Sequence, residues 1–279
     1  MSDSFTFAAS GSTVVSGLLD APPSPRACYV LAHGAGAGMT HAFLATIADG
    51  LVERGIATLR YQFPYMEQGA RRPDLPKVAH ATVRAAVLEA GRRLPGVPLF
   101  AGGKSFGGRM TSQAQAAEPL PDVRGLIFLG FPLHPAGKAS VDRAKHLFEI
   151  GVPMLFVQGT RDKLAELQLL EPVCRELGQQ ARSPQTSQHR RSGVSATRGP
   201  GVSAGGDGAS AGDEAGTTSR LSTLRLIRDA DHSFKVPARS GRKQPEVFAE
   251  ILDAIAGWMT RDSMLATDVP SNVLRPTGS

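Results

Sequence analysis

Apolar positions along the chain fall into short runs that alternate between two periods. Continuous apolar runs at 28–32 (CYVLA), 56–61, 97–101, 123–129, 153–157 and 221–227 have the length of strands buried on both faces. Between them the spacing becomes helical. Phe43, Leu44, Ile47, Leu51 and Val52 share one helix face, and Gly55 follows where a helix stops. Residues 78–94 predict a second helix ending before Pro95, and 106–117 a third ending near Pro119. Residues 163–177 predict a helix broken or kinked at Pro172. Val247, Phe248, Ile251, Leu252, Ile255, Trp258 and Met259 form a last amphipathic stripe, best read as a helix packed on a sheet. The opening segment 5–19 alternates Thr and Val between Gly and Ser, as an antiparallel hairpin would. Strand–helix alternation of this kind predicts an α/β protein whose mostly parallel central sheet carries helices on both faces.

Residues 179–220 contain almost no large apolar side chains, so burial cannot offset the entropy of ordering them. The expectation is one domain over 1–261, interrupted by a disordered insertion at 179–220 and followed by a disordered tail at 262–279. A chain of 279 residues can bury such a core. Its longest apolar run, 125–131, is far too short to span a bilayer, and the first ten residues lack a secretory leader's basic and apolar regions. Two cysteines cannot make a disulfide framework, which points to a reducing, cytoplasmic setting. The net charge of +6 is spread without a lysine block or interleaved aromatics, which argues against nucleic acid as a partner.

The candidate chemistry begins at LFAGGKSFGGRM, residues 99–110. Gly103-Lys104-Ser105-Phe106-Gly107 fits G-x-S-x-G, but so do 201–205 and 208–212 inside the Gly/Ser-rich insertion. Only Ser105 has a strand before it and a helix after it, the context of a nucleophile held on a sharp turn. A phosphate-binding reading fails because Pro98 stands where the first glycine of a Walker motif belongs. The other Gly-rich loop, 33–38, misses the dinucleotide pattern at Met39. A serine nucleophile needs a base and an orienting acid, in the order Ser, Asp or Glu, His for this sheet type. Asp162 and His232 lie just beyond the strands at 153–157 and 221–227 and meet that order, with Asp229 and Asp231 as rival acids. The amides of Phe106 and of Ala35, with Gly36 next, are candidates for an oxyanion hole. His33 reads as a residue that ties its loop down.

The stretches LAHGAGAGM (31–39), RYQFPYMEQGARRP (60–73), AGGKSFGGRM (101–110), VRGLIFLGFPLHPAGK (123–138), LFVQGTRD (155–162) and DHSFKV (231–236) resemble the KANL/Tex type of α/β-hydrolase-like domain, related to the dienelactone hydrolases. The resemblance implies an α/β-hydrolase fold, Ser105 as nucleophile, Asp162 as acid and His232 as base. It also places Tyr65, Arg109, His134 and Lys235 in blocks near the same sheet edge, as pocket candidates. Dienelactone hydrolases proper use cysteine where this chain has Ser105. The expected activity is cleavage of a small carboxylic ester or thioester by a monomer or homodimer, with no metal, organic cofactor or membrane. A non-catalytic binding module on the same fold is the alternative, since fold does not imply function.

Overall fold

The computed structural model describes residues 2–180, 221–261 and 264. The greater part of the expected insertion and of the tail lies outside the described residues.

Eight strands form one sheet in the order β1-β2-β4-β3-β5-β6-β7-β8. The expected hairpin is β1 (Asp3–Ser10) and β2 (Thr13–Asp20), which pair antiparallel, and β2 joins β4 (Ile56–Tyr61) in the same sense. β3 (Ala27–Ala32), β5 (Leu99–Lys104), β6 (Val123–Leu129), β7 (Met154–Gly159) and β8 (Ser222–Ile227) run parallel to each other and to β4. This is the α/β-hydrolase fold.

The continuous apolar runs have a physical reason: both faces of the sheet are covered. Along β3, Ala27, Tyr29 and Leu31 enter one core, while Cys28, Val30 and Ala32 enter the other. Helices α1 (Ala42–Glu53) and α6 (Gln244–Met259) close the first core with Leu44, Ile47, Leu51, Ile251, Ile255 and Trp258. Helices α3 (Pro76–Arg93), α4 (Phe106–Ala117) and α5 (Leu167–Gln180) close the second.

Two short helices carry no signal in the pattern, and three expectations, the start of α5, its break at Pro172 and the end of β5, are corrected. The segment before α3 carries a short helix, α2 (Pro64–Glu67), and Asp142–Glu149 forms a 3-10 helix that the polar sequence did not signal. Helix α5 begins at Leu167 rather than 163, because Asp162 to Ala165 form a turn. It then runs through Pro172 unbroken. Proline there forfeits one bond, to the Gln168 carbonyl in the first turn, while the Leu170, Val173, Cys174 and Leu177 stripe packs on the sheet. Strand β5 extends to Lys104 instead of stopping at Ala101. Gly102 and Gly103 lie beyond the apolar run yet belong to the strand, squeezed between neighbours: a methyl group on Gly103 would stand 2.3 Å from the Ala32 carbonyl oxygen.

Parallel strands gather their C-terminal ends on one edge. Ser105 follows β5, Gly130 follows β6, Asp162 lies just past β7 and His232 just past β8. Helix α5 runs back from that edge, so the described chain breaks at Gln180 and resumes at Leu221 on the opposite one. Among the described residues no helix is long and apolar enough to cross a membrane.

Candidate active site

Ser105 sits between the last residue of β5 and the first of α4, at φ 50° and ψ −111°, a conformation an L-residue adopts only under constraint. Its amide donates to the Leu129 carbonyl (3.1 Å), and its own carbonyl accepts from Arg109 one turn into the helix. Gly107 lets α4 start against β3, since a methyl there would lie 2.5 Å from the His33 carbonyl oxygen. The two glycines flanking Ser105 therefore answer to crowding by the neighbouring strand's backbone.

The three side chains expected to act together are hydrogen-bonded in a line. Ser105 Oγ donates to His232 Nε2 at 2.9 Å, and His232 Nδ1 donates to Asp162 Oδ2 at 2.7 Å. Asp162 is buried, and its other oxygen accepts from the Leu164 amide (2.8 Å). Gln158 Nε2 donates to the same Oδ2 as His232, at 2.5 Å, while Gln158 Oε1 accepts from the Phe131 amide (2.9 Å). Buried Gln158 thus ties the acid to the loop beyond β6, a role with no signal in the sequence.

The rivals are occupied otherwise. Asp231 Oδ1 accepts from the amides of Ser233 (2.8 Å) and Lys235 (3.0 Å), and so nucleates the turn that presents His232. Asp229, at φ 61°, hydrogen-bonds through its amide to Thr160 Oγ1. Buried Phe234 anchors the same turn by stacking on Phe43, centroids 5.6 Å apart.

The loop at 33–38 is fixed from three sides. His33 is fully buried. Its Nδ1 donates to the Gly34 carbonyl (2.8 Å) and its Nε2 accepts from the Phe63 amide (3.0 Å), while burial pushes the imidazole down to about 4. The Gly36 amide donates to Tyr65 Oη (3.1 Å), which leaves Ala35 rather than Gly36 facing the cavity beside Ser105. Arg60 holds the far end through the Met39 carbonyl and pairs with Asp20 at 2.8 Å. Phe106, as the first residue of α4, has an amide with no acceptor inside the helix.

Small-molecule sites occupy cavities of about 300 to 1,000 Å³, and the one holding Ser105 and His232 measures ≈ 680 Å³. Its wall is largely apolar, with Ala35, Phe43, Leu44, Val236 and Phe248, and with Lys104 and Lys235 as its lysines. Of the pocket candidates only Lys235 lines it. Tyr65 is instead spent on the Gly36 amide. His134 is buried, with its ring bonded to the Pro135 carbonyl. Arg109 is half-buried beside Arg143 and His146, and desolvation and then Arg143 lower its affinity for its proton. These three are corrections: none of them lines the cavity, Tyr65 and His134 being engaged by backbone groups and Arg109 lying beside Arg143. Lys104, the second letter of GKSFG, carries no signal in the motif, yet it lies in the wall. Burial pushes its ammonium down to about 8, against the pull of the Asp162 and Asp231 carboxylates.

Residues 25–191 match the family described as the alpha/beta hydrolase domain, and the chain belongs to it. Solved structures share the fold. An α/β serine hydrolase without lid from Xanthomonas campestris is 17% identical, with a TM-score of 0.60 over 93% of this chain and 96% of that one. A dienelactone hydrolase from Anabaena variabilis is 15% identical, with a TM-score of 0.60 over 92% and 97%. The esterase domain of a Rhodothermus marinus protein is 15% identical, with a TM-score of 0.56 over 93% and 98%. At such identities the likeness extends to the fold alone.

Proposed function

We propose that the protein is a serine hydrolase that cleaves a carboxylic ester or thioester through an acyl-enzyme. The observation that carries this reading is the unbroken hydrogen-bond line from Ser105 through His232 to Asp162. His232 Nε2 takes the proton as Ser105 Oγ attacks the acyl carbon, and Asp162 holds the imidazole in the tautomer whose Nε2 is free to accept. The tetrahedral oxyanion is received by the Phe106 and Ala35 amides, each contributing about 3 kcal/mol. The bond to the leaving oxygen or sulfur breaks with its electron pair, and the leaving atom takes the proton from Nε2. Water then attacks the acyl-enzyme with His232 again as base, so that an acid is released and Ser105 is restored. These steps draw on the chain's own groups and water. The apolar wall at Phe43, Leu44, Val236 and Phe248 suits the acyl chain. Within the family, the quoted motifs favour the KANL/Tex type, and the two lone, buried cysteines favour a cytoplasmic site of action.

A fluorophosphonate probe tests the assignment. The wild type should be labelled, and Ser105→Ala should lose all labelling while melting as the wild type does. Labelling that persists in Ser105→Ala moves the nucleophile elsewhere. A folded wild type that never labels, and instead co-purifies with a partner, replaces the hydrolase by a binding module.

A further inference from the structure

His232 stands in the wall of two depressions. One is the apolar cavity that also holds Ser105. The other, ≈ 450 Å³ and open, lies beyond the imidazole and does not include Ser105. It shares His232, Ser233, Lys235 and Val236 with the first. Its character is different: Arg161, Lys163 and Lys235 line it, with Asp231 as the sole carboxylate. Asp231 Oδ1 already accepts two backbone amides. Among the described residues none of the three cations is paired with a carboxylate. Three unpaired cations in one wall beside a catalytic base concentrate anions there.

The hydrolase reading, on which this inference rests, gives the two depressions distinct occupants. When the tetrahedral intermediate collapses, the acyl carbon keeps its bond to Ser105 Oγ. The leaving oxygen or sulfur departs with the bonding pair and takes its proton from His232 Nε2. The departing group is therefore the part of the substrate that lies against His232, while the acyl part stays by the Phe106 and Ala35 amides. We propose that the substrate is an apolar acyl group carried on an anionic alcohol or thiol, whose phosphate or carboxylate groups lie against Arg161, Lys163 and Lys235.

A matched set of thioesters tests this. Butyryl-coenzyme A carries phosphates on its leaving thiol, S-butyryl-mercaptosuccinate carries carboxylates, and S-butyryl-N-acetylcysteamine is neutral. Acyl group and scissile bond are the same in all three. Each rim cation contributes about threefold, so kcat/KM should favour at least one anionic thioester over the neutral one by about 30-fold at low salt. The preference should shrink to a few-fold at about 0.5 M salt. It should fall to near unity in the combined Arg161→Gln, Lys163→Gln, Lys235→Gln variant. Which anionic thioester leads separates phosphate from carboxylate. A neutral thioester cleaved as well as both anionic ones overturns the proposal, as does a preference that survives the triple substitution. If the wild type cleaves none of them and takes no probe, the hydrolase reading falls. Calorimetric binding of free coenzyme A and of mercaptosuccinate, to wild type and triple variant, then decides the cationic wall by itself: at least one should bind the wild type tenfold or more tighter, and equal binding of both refutes it.

Discussion

Replacing Lys104 by Met should make the protein more stable, most of all at neutral pH. The side chain leaves the last residue of β5 and ends behind the acid–base pair. A methyl group on Gly130 would stand 3.1 Å from Lys104 Nζ and 3.5 Å from Asp162 Oδ2, so these two atoms are within about 6.6 Å of each other. The ammonium also lies 5.6 Å from the centroid of the Phe234 ring. Burial dominates, and it pushes the ammonium from 10.5 down to about 8. At about 1.4 kcal/mol per pH unit, this charge costs folding about 3 kcal/mol at neutral pH. The sign follows from proton counts. Between pH 8 and 10.5 the unfolded chain holds this proton and the folded one does not, so stability rises with pH through that window and the cost is complete below it. Lys104→Met removes the group and keeps most of its apolar volume. The variant should therefore exceed the wild type by up to about 3 kcal/mol near pH 7, with the gap closing toward pH 10. Urea unfolding followed through the single, buried Trp258 at about pH 7, 8.5 and 10 measures it. The buried tyrosines titrate alike in both proteins and cancel in the difference. Two stability curves that run parallel across this range would refute the reasoning. A cation kept at a site where folding would do better without it is the pattern of a functional residue.

Two further predictions concern the backbone around Ser105. Gly103→Ala sets a methyl group 2.3 Å from the Ala32 carbonyl oxygen at φ 157°, so β3 and β5 must part. A loss of about 3 kcal/mol or more is expected, together with loss of probe labelling, and a variant that melts and labels as the wild type does would contradict the crowding described. His33, held at about 4 by burial, makes the folded state bind fewer protons than the unfolded chain between pH 6.5 and 4. Its contribution is complete above pH 6.5 and is lost as pH falls toward 4, by up to about 3 kcal/mol. His33→Gln should flatten that part of the melting profile, and an unchanged acid slope would assign it elsewhere.

The fold was legible because its strands are buried on both faces, so apolar runs and helical stripes marked nearly every element. Errors arose where a residue's meaning depended on a neighbour distant in sequence. Gly102 and Gly103 fall outside the apolar run that marks β5 and join the strand only when β3 and β6 are laid beside them. Pro172 looks like a helix break until the stripe around it is packed on the sheet. Tyr65, Arg109 and His134 lie in blocks that resemble the family's, but a motif places a residue along the chain and leaves its side chain's direction open. Tyr65 turns to the Gly36 amide and His134 to a carbonyl beside it.

The selection of one acid from three shows how far chain order can go. Asp162, Asp229 and Asp231 all follow Ser105 and precede His232, so order alone admits all three, and only its place after a strand of its own, at 153–157, set Asp162 apart in the sequence. What distinguishes them physically is the use of their oxygens. Asp231 spends Oδ1 on the amides of its own turn, and Asp229 is half-exposed with Arg228 3.6 Å away. Asp162 alone is buried with an oxygen turned to His232, and Gln158 and the Leu164 amide hold it there. A buried carboxylate is tolerable only when donors surround it. Gln158 supplies one of them, and it could not be read from the sequence because its other partner, the Phe131 amide, reaches it only once β6 and β7 pair. The candidate triad is therefore written in chain order, whereas the groups that hold it in place are written in sheet order, and only the first of these can be read along a single strand of letters.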